Sequence, residues 1–174
     1  RLLRKWDPIH AENVADHAGK IAEKMGLEPY LQELVKKAAL VHDIGKITIP
    51  SKILNKDASL TQKELEQIKR HPESGYQILR SVDEYASVAM IILSHHEWVD
   101  GSGYPEKLKG EDIPLASRII AVADSYDAMT SGRIYTDCKT KEEAIQELRA
   151  CAGSQFDPEV VSVFIEKVLL DGEK

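Results

Sequence analysis

The sequence predicts an all-α fold, a single compact helical domain of about seven or eight helices. Helix-start signals recur along the chain: aspartate–proline pairs at Asp7-Pro8 and Asp157-Pro158, and capping boxes that open at Thr61 and Thr140. No stretch shows the strict alternation of apolar and polar residues that is typical of strands. The 174 residues are enough to bury the core of one domain, which we expect over residues 1–174.

Four helices are predicted in the first half, over residues 8–25, 29–41, 61–70 and 71–81. The first carries an apolar stripe at helical spacing and ends at Gly26. The second begins at Glu28-Pro29 and is strongly apolar up to His42. The third opens with a capping box, and His71-Pro72 restarts the chain as the fourth. Residues 47–57 form a connector with room for one short helical turn.

Four further helices are predicted over residues 83–96, 115–130, 140–152 and 158–170. Asp83 is the expected cap of the first, which is rich in apolar residues as far as His96. Residues 97–114 combine glycines, two prolines and several charges, a composition typical of a loop. Loops of this length in compact domains are often functional. The helix over 115–130 is apolar around an isolated carboxylate, Asp124.

Composition narrows the classes of partner. The net charge is -6 and no basic run stands out, which excludes duplex nucleic acid as an expected partner. A small phosphate ligand is still compatible with this composition, because a local cation can bind it.

The two cysteines, Cys138 and Cys151, form no CxxC pair, which favours a reducing compartment. The chain begins at Arg1, so we expect it to be a piece excised from a longer protein. We further expect a cytoplasmic domain that follows an N-terminal regulatory domain in a receiver-linked or membrane-bound signalling protein.

Five of the six histidines and two aspartates fall at helix ends or on apolar helix faces. Each one alone has an ordinary structural explanation, as a helix cap or a surface residue. Together they predict a divalent metal centre in the helical core, because buried imidazoles and carboxylates need a cation and suit Zn, Mn or Fe. One aspartate can bridge two ions, and two ions can clamp a phosphoryl group. The candidates are His10, His42, Asp43, His71, His95, His96 and Asp124.

A series of motifs resembles the HD-GYP family, metal-dependent phosphodiesterases of the wider HD superfamily. The motifs are His42-Asp43-Ile44-Gly45-Lys46, His71-Pro72, His95-His96-Glu97 followed by Gly103-Tyr104-Pro105, and Asp124-x-x-Asp127. The resemblance covers nearly the whole chain, from His10 to Pro158, in the expected order and with matching spacers. It implies an HD-type helical domain that hydrolyses cyclic di-GMP to linear pGpG, and in some members on to GMP, through a metal-bridging hydroxide.

The resemblance also implies residue roles. The seven candidates above would be the metal ligands, with Asp43 bridging two ions. Lys46 would bind the substrate phosphate, and its ammonium could neutralise a phosphate oxygen. Asp127 would contact the nucleophilic water and assist proton transfer, so that Asp43, Lys46 and Asp127 form the catalytic set. Arg133 matches a phosphate-binding arginine of the family.

The Gly103-Tyr104-Pro105 loop has two interpretations. The resemblance assigns it to the substrate surroundings and to contacts with GGDEF-type cyclases, whereas the residues alone indicate an ordered loop anchored by Tyr104. Trp98 is a candidate for stacking on a base and equally for a core or surface position. His17 has no matching family role and is predicted to be structural.

The metal count and the substrate leave alternatives. Some family members hold a third metal through a glutamate one helical turn before the first histidine, where this chain has Trp6. We therefore expect two ions, iron or manganese, with zinc and nickel as alternatives. The alternative functions are a catalytically weak cyclic-dinucleotide sensor or cyclase-docking module, and a hydrolase of another cyclic dinucleotide such as cyclic GMP-AMP.

Overall fold

The structure, a computed structural model, describes residues 7–131 and 138–172. Over these residues it is helical, with two isolated β-bridges, Asp100 to Lys109 and Ala152 to Phe156. The predicted all-α fold is therefore confirmed. No helix in the described part is long and apolar enough to cross a bilayer. The α-helices are α1 Pro8–Lys24, α2 Pro29–Val41, α3 Ser51–Leu54, α4 Gln62–Ile68, α5 His71–Leu79, α6 Ala86–Leu93, α7 Leu115–Thr130, α8 Lys141–Ala150 and α9 Pro158–Val163.

The predicted helix starts are confirmed by their cap geometry. The side chain of Asp7 accepts a hydrogen bond from the backbone N–H of His10 at the start of α1. Thr61 and Thr140 form reciprocal capping boxes with the glutamates three residues later. Asp157 accepts from two backbone N–H groups at the start of α9. Local sequence therefore sets where these helices begin.

The predicted helix over 83–96 is wrong at both ends. Asp83 caps no α-helix, because residues Asp83–Tyr85 form a 3-10 turn and α6 begins at Ala86. At the other end α6 stops at Leu93, before the paired histidines. There the ring of His95 turns back and donates to the carbonyl of Ile92, using an acceptor at the end of the helix. Both histidines therefore lie in the turn that follows α6.

The last predicted helix also differs in detail. It is α-helical over Pro158–Val163 and continues as a π-helix over Phe164–Leu169. Phe164 is fully buried where the helix changes, against the rings of His17 and Tyr126. His17 lies 5.3 Å from Tyr126, between ring centroids, and packs there as the structural residue that the sequence predicts.

The hydrophobic core lies where α1 packs against α2 and α7, with α6 on one side and α8 and α9 on the other. Its largest fully buried side chains include Ile21, Ile92, Ile119 and Leu148. Burial of such side chains is worth roughly 1.5–3 kcal/mol each, so this packing fixes the helices rigidly. The ends of α2 and α6 and the start of α5 then meet at one place, beside the middle of α7.

The turn between α2 and α3 lies against the start of α5 at unusually short range. It is a 3-10 helix over Ile44–Thr48. A Cβ atom placed on Gly45 would lie 1.8 Å from the carbonyl oxygen of His71 and 2.7 Å from the backbone nitrogen of Gly75. Only glycine permits this approach, which brings Asp43 beside His71.

Replacing this glycine should open the contact. We expect Gly45→Ala to lower the free energy of unfolding by about 1–3 kcal/mol or more, because the Cβ would collide with backbone rather than with a movable side chain. Gly19→Ala is the matched control, because its Cβ would meet only the side-chain end of Lys36. Urea unfolding followed by circular dichroism measures both. Equal stability of the two variants would contradict the close approach.

Candidate metal centre

Two groups of potential metal ligands meet in the helical core. Within each group the three ligand atoms lie within 4.8 Å of one another. The first group comes from the start of α5 and the turn after α6, and the second from α1, the end of α2 and the middle of α7. The groups are His71, His95 and His96, and His10, His42 and Asp124.

Asp43 lies between the two groups. Its Oδ1 is 3.4 Å from Nε2 of His71, and its Oδ2 is 3.3 Å from Nε2 of His42. In the second group, Oδ1 of Asp124 is 2.8 Å from Nε2 of His10 and 3.4 Å from Nε2 of His42. One oxygen of Asp43 therefore faces each group, which is the arrangement that a bridging carboxylate needs. The structure thus brings together all seven residues that the sequence singles out as ligands.

Three of the imidazoles are oriented by backbone carbonyls that the sequence analysis missed. Each donates from Nδ1 to the carbonyl three residues earlier, and this turns Nε2 toward the centre. Carbonyls near a helix end lack a helical partner, so they are available as acceptors. The pairs are His42 to Ala39 at 2.6 Å, His71 to Ile68 at 2.7 Å and His95 to Ile92 at 2.5 Å.

His10 is oriented by a carboxylate instead. Its Nδ1 is 2.5 Å from Oδ2 of Asp127, and Oδ1 of Asp127 accepts from the side-chain amide of Asn13 at 3.0 Å. Asp127 is buried, and its contacts with His10 and Asn13 occupy both of its carboxylate oxygens. Its predicted contact with the nucleophilic water stays a prediction. Asn13 was missed because its partner lies 114 residues away.

The charges in the centre stabilise one another. Burial lowers the pKa of His42, but the carboxylates of Asp43 and Asp124 outweigh it and raise that pKa to about 10. Burial raises the pKa of both carboxyls, yet their cationic neighbours, foremost His42, hold it well below the usual range. Both aspartates are therefore ionised. A divalent ion that binds His42 must displace its proton, as is general for imidazole ligands.

Two histidines of the other group, His95 and His96, are neutral. Burial and the neighbouring imidazoles lower the pKa of His95 far below its usual value and that of His96 to about 3. Nε2 of His71 and Nε2 of His95 are 3.3 Å apart. Both rings place Nδ1 on a backbone carbonyl, so each Nε2 atom is left to face the centre, where a shared cation would satisfy both.

The residues present fit a metal centre. In the described part of the chain, the buried Nε2 atoms of His10 and His42 make no hydrogen bond of good geometry, although carboxylate oxygens lie 2.8–3.4 Å away. They lie close to an ionised carboxylate, and buried charges of this kind are stable when they coordinate metals. The donor set of imidazoles and carboxylates suits Zn, Mn or Fe.

Lys46 lies at the edge of the centre. Its Nζ donates to Oδ2 of Asp43 at 3.0 Å, and its side chain is largely buried. The 3-10 helix places it three residues after Asp43, so that the ammonium and the carboxylate share one face. Two predictions concern residues outside the described ranges: Arg133 as a phosphate contact, and Trp6 at the place of a third-metal ligand.

The Gly103-Tyr104-Pro105 loop packs directly beneath a ligand. A Cβ atom on Gly103 would lie 2.3 Å from the backbone nitrogen of Trp98 and 2.5 Å from the carbonyl oxygen of His96. The ring of Tyr104 stacks on the His96 imidazole at 5.1 Å, with 15° between the planes. Its backbone N–H donates to the carbonyl of His96. The loop therefore supports His96, a role that the sequence analysis did not assign.

Glu97 anchors the far side of the same loop. It is buried, and its carboxylate accepts from the backbone N–H groups of Glu106 at 2.6 Å and Leu108 at 3.0 Å. A buried carboxylate is stable only with such partners. The sequence analysis names Glu97 within a motif but missed its anchoring role, because these partners lie nine and eleven residues away in an irregular loop.

A cavity of about 310 Å³ adjoins the centre. At one end it is lined by the ligands His95, His96 and Asp124. It then extends along α7 toward Trp98 and Phe156. A substrate group attached to a phosphate over the metal centre could therefore enter it.

Comparison with known proteins identifies relatives over nearly the whole chain. The family model described as HD domain matches residues 5–160. A cyclic di-GMP phosphodiesterase of Thermotoga maritima is 45% identical over 166 residues, 93% of this chain and 45% of the relative. A cyclic di-GMP phosphodiesterase response regulator of Xanthomonas campestris, RpfG, is 44% identical over 88% of this chain and 41% of its own. A 3'3'-cGAMP-specific phosphodiesterase 2 of Vibrio cholerae is 40% identical over 90% of this chain and 30% of its own.

Solved structures share the fold. A cyclic GMP-AMP specific phosphodiesterase of V. cholerae has a TM-score of 0.74 at 23% identity, over 97% of this chain and 45% of that one. An HDG"Y"P protein of Bdellovibrio bacteriovorus also has a TM-score of 0.74 at 23% identity, over 95% of this chain and 53% of that one. The chain spans less than half the length of the curated relatives named above.

Removing the carboxylate that orients His10 should weaken metal binding. We expect Asp127→Asn to lower the affinity for Mn²⁺ about 10–100-fold, because the amide no longer fixes the imidazole or raises its basicity. Asn13→Ala should have a smaller effect in the same direction. The control is Glu12→Gln, because Glu12 is an exposed carboxylate on α1, the helix that carries His10. Titration calorimetry measures the affinities, and an unchanged affinity in Asp127→Asn would contradict the orienting role.

Proposed function

Because the chain belongs to the HD domain family, we propose that it is a metal-dependent phosphodiesterase that hydrolyses cyclic di-GMP to linear pGpG. The observation that carries this proposal is Asp43, which has one oxygen toward each of two ligand groups and Lys46 on the same carboxylate. Relatives at 34–45% identity named as cyclic di-GMP phosphodiesterases support the substrate. A structural neighbour solved in complex with cyclic di-AMP supports the broader class, cyclic dinucleotides.

We propose two ions, with Asp43 shared between the groups of His71, His95 and His96, and of His10, His42 and Asp124. Bound divalent ions supply Lewis-acid charge for the phosphoryl oxygens and a water of lowered pKa for attack on phosphorus. Iron or manganese is the proposed metal, with zinc or nickel as alternatives, because imidazole and carboxylate ligands accept all four.

Residues of the chain itself position the phosphate and its charge. Lys46 is held at the edge of the centre by Asp43, so its ammonium meets a phosphate oxygen with little reorganisation. The low-dielectric surroundings strengthen that interaction, since Asp43 is buried. Asp127 holds the Nδ1 proton of His10 and so fixes the tautomer that presents Nε2. Its assignment to proton transfer with the nucleophile rests on the family resemblance alone.

Two alternatives have specific support. The relative named a 3'3'-cGAMP-specific phosphodiesterase, 40% identical, favours cyclic GMP-AMP as a second substrate. A binding module that docks a GGDEF-type cyclase through the Gly103-Tyr104-Pro105 loop rests on the family resemblance. Tyr104 is half-buried against His96, so a partner would contact the loop from its remaining side.

Turnover of the metal-loaded chain tests the function. The chain loaded with Mn²⁺ or Fe²⁺ should convert cyclic di-GMP to pGpG, measured by chromatography of the products. We expect Lys46→Ala to lower kcat/KM by about 100–1000-fold, because the charge developing on the phosphoryl group loses one fixed cation. The metal content of this variant should stay that of the wild type, since Lys46 is not a ligand.

Lys52→Ala is the matched control, because Lys52 is an exposed lysine on the neighbouring α3. Its kcat/KM should equal that of the wild type. Absence of turnover with either metal would overturn the proposed enzyme. Tight binding of cyclic di-GMP without hydrolysis, unaffected by Asp43→Ala, would favour the sensor instead.

A further inference from the structure

We propose that the cavity beside the metal centre binds one guanine base of the substrate, and that Glu147 selects guanine over adenine. Glu147 lies on α8, is exposed to solvent, and is one of the residues that line the cavity. Its carboxylate would accept hydrogen bonds from N1–H and from the 2-amino group of the base. This inference rests on the proposed function for one point, that a nucleotide phosphate lies over the metal centre.

The cavity lies at the correct place for a base. Asp124 belongs both to the metal centre and to the cavity lining. The lining continues along the same face of α7 to Ser125 and Ala128. Ala128 is four residues beyond Asp124, a distance of about 6 Å along the helix axis. A base in the cavity and a phosphate at the metal centre would thus be about as far apart as one ribose can span.

The walls suit a flat aromatic ring. Small side chains on α7 leave the space open, because Ala121, Ser125 and Ala128 face it at helical spacing. Trp98, about one-third exposed, and Met129 line it as well. An indole stacks on bases of any sequence, and a thioether contacts aromatic rings favourably. The volume of about 310 Å³ accommodates a purine.

The polar groups of the cavity favour a ligand edge rich in donors. None of its described lining residues is lysine or arginine, whereas Glu97, Asp124 and Glu147 are acidic. Glu97 is already engaged by the backbone N–H groups of Glu106 and Leu108. Asp124 is engaged by the histidines of the metal centre. Among residues 7–131 and 138–172, the one donor to the Glu147 carboxylate is the thiol of Cys151, a weak donor at the long distance of 3.6 Å. Its carboxylate therefore keeps its acceptor capacity for a ligand.

This donor and acceptor pattern distinguishes the purines. The Watson–Crick edge of guanine presents N1–H and an amino group side by side, which match the two oxygens of one carboxylate. Adenine presents the lone pair of N1 beside its amino group, and that lone pair would oppose the carboxylate. Gln155 also lines the cavity, and its side-chain amide N–H is the type of donor that guanine O6 requires. A phosphate in the cavity would be repelled by the carboxylates.

Binding of mononucleotides tests the selectivity without any turnover. GMP and AMP are titrated into the Mn²⁺-loaded chain by calorimetry, and their ratio of affinities isolates the base, because the phosphate is common to both. The wild type should prefer GMP. Glu147→Gln should weaken GMP binding by about 10–100-fold, the loss of a charged hydrogen-bond acceptor, with AMP binding unchanged or stronger.

Glu142→Gln is the matched control, an exposed carboxylate on the same helix that does not line the cavity. It should keep the wild-type ratio. An equal affinity of the wild type for GMP and AMP, or an unchanged ratio in Glu147→Gln, would overturn the inference. The proposed function is tested by a different experiment, the turnover of cyclic dinucleotides. If that turnover is absent, the ratio of GMP to AMP affinities still tests the role of Glu147.

Discussion

The whole arrangement depends on one buried carboxylate held between two groups of imidazoles. Asp43 is 3.4 Å from His71 through one oxygen and 3.3 Å from His42 through the other. Isolated buried charges are costly, so each of these groups is stable only while the others are in place. The fold meets this requirement by bringing the ends of α2 and α6 and the start of α5 to one point beside α7. The Gly45 turn makes the closest of those approaches.

The supporting contacts follow from ordinary helix physics. Carbonyls near helix ends lack helical partners, and three ligand histidines use them to fix their tautomer and their direction. His10 lies in the first turn of α1, where a helix presents free N–H groups rather than free carbonyls, and there the carboxylate of Asp127 takes the same part. The stacked Tyr104 and the anchored loop beneath it hold His96 from the outside. A centre so enclosed has little freedom to rearrange on binding a ligand.

The sequence predicts the helix starts and the ligand set for a physical reason. Caps and prolines act within a few residues, and a histidine or aspartate on an apolar helix needs a partner wherever the chain folds. The end of α6 was mispredicted because the ring of His95 takes a helix-end carbonyl, a competition that hydropathy does not reveal. Asn13, the anchoring role of Glu97 and the cavity on α7 were missed because they depend on contacts between residues distant in sequence. The HD-GYP resemblance is confirmed at the level of the family, whereas the role of Arg133 stays a prediction.

Counting the bound ions tests the central claim most directly. The wild-type chain loaded with Mn²⁺ and examined by native mass spectrometry should hold about two ions, and Asp43→Ala should lose the second ion at the same free metal concentration. Without the shared carboxylate, each ion would keep only the three ligands of its own group. The second ion would then bind more weakly. Equal ion counts and equal affinities in the two proteins would contradict the bridging role of Asp43.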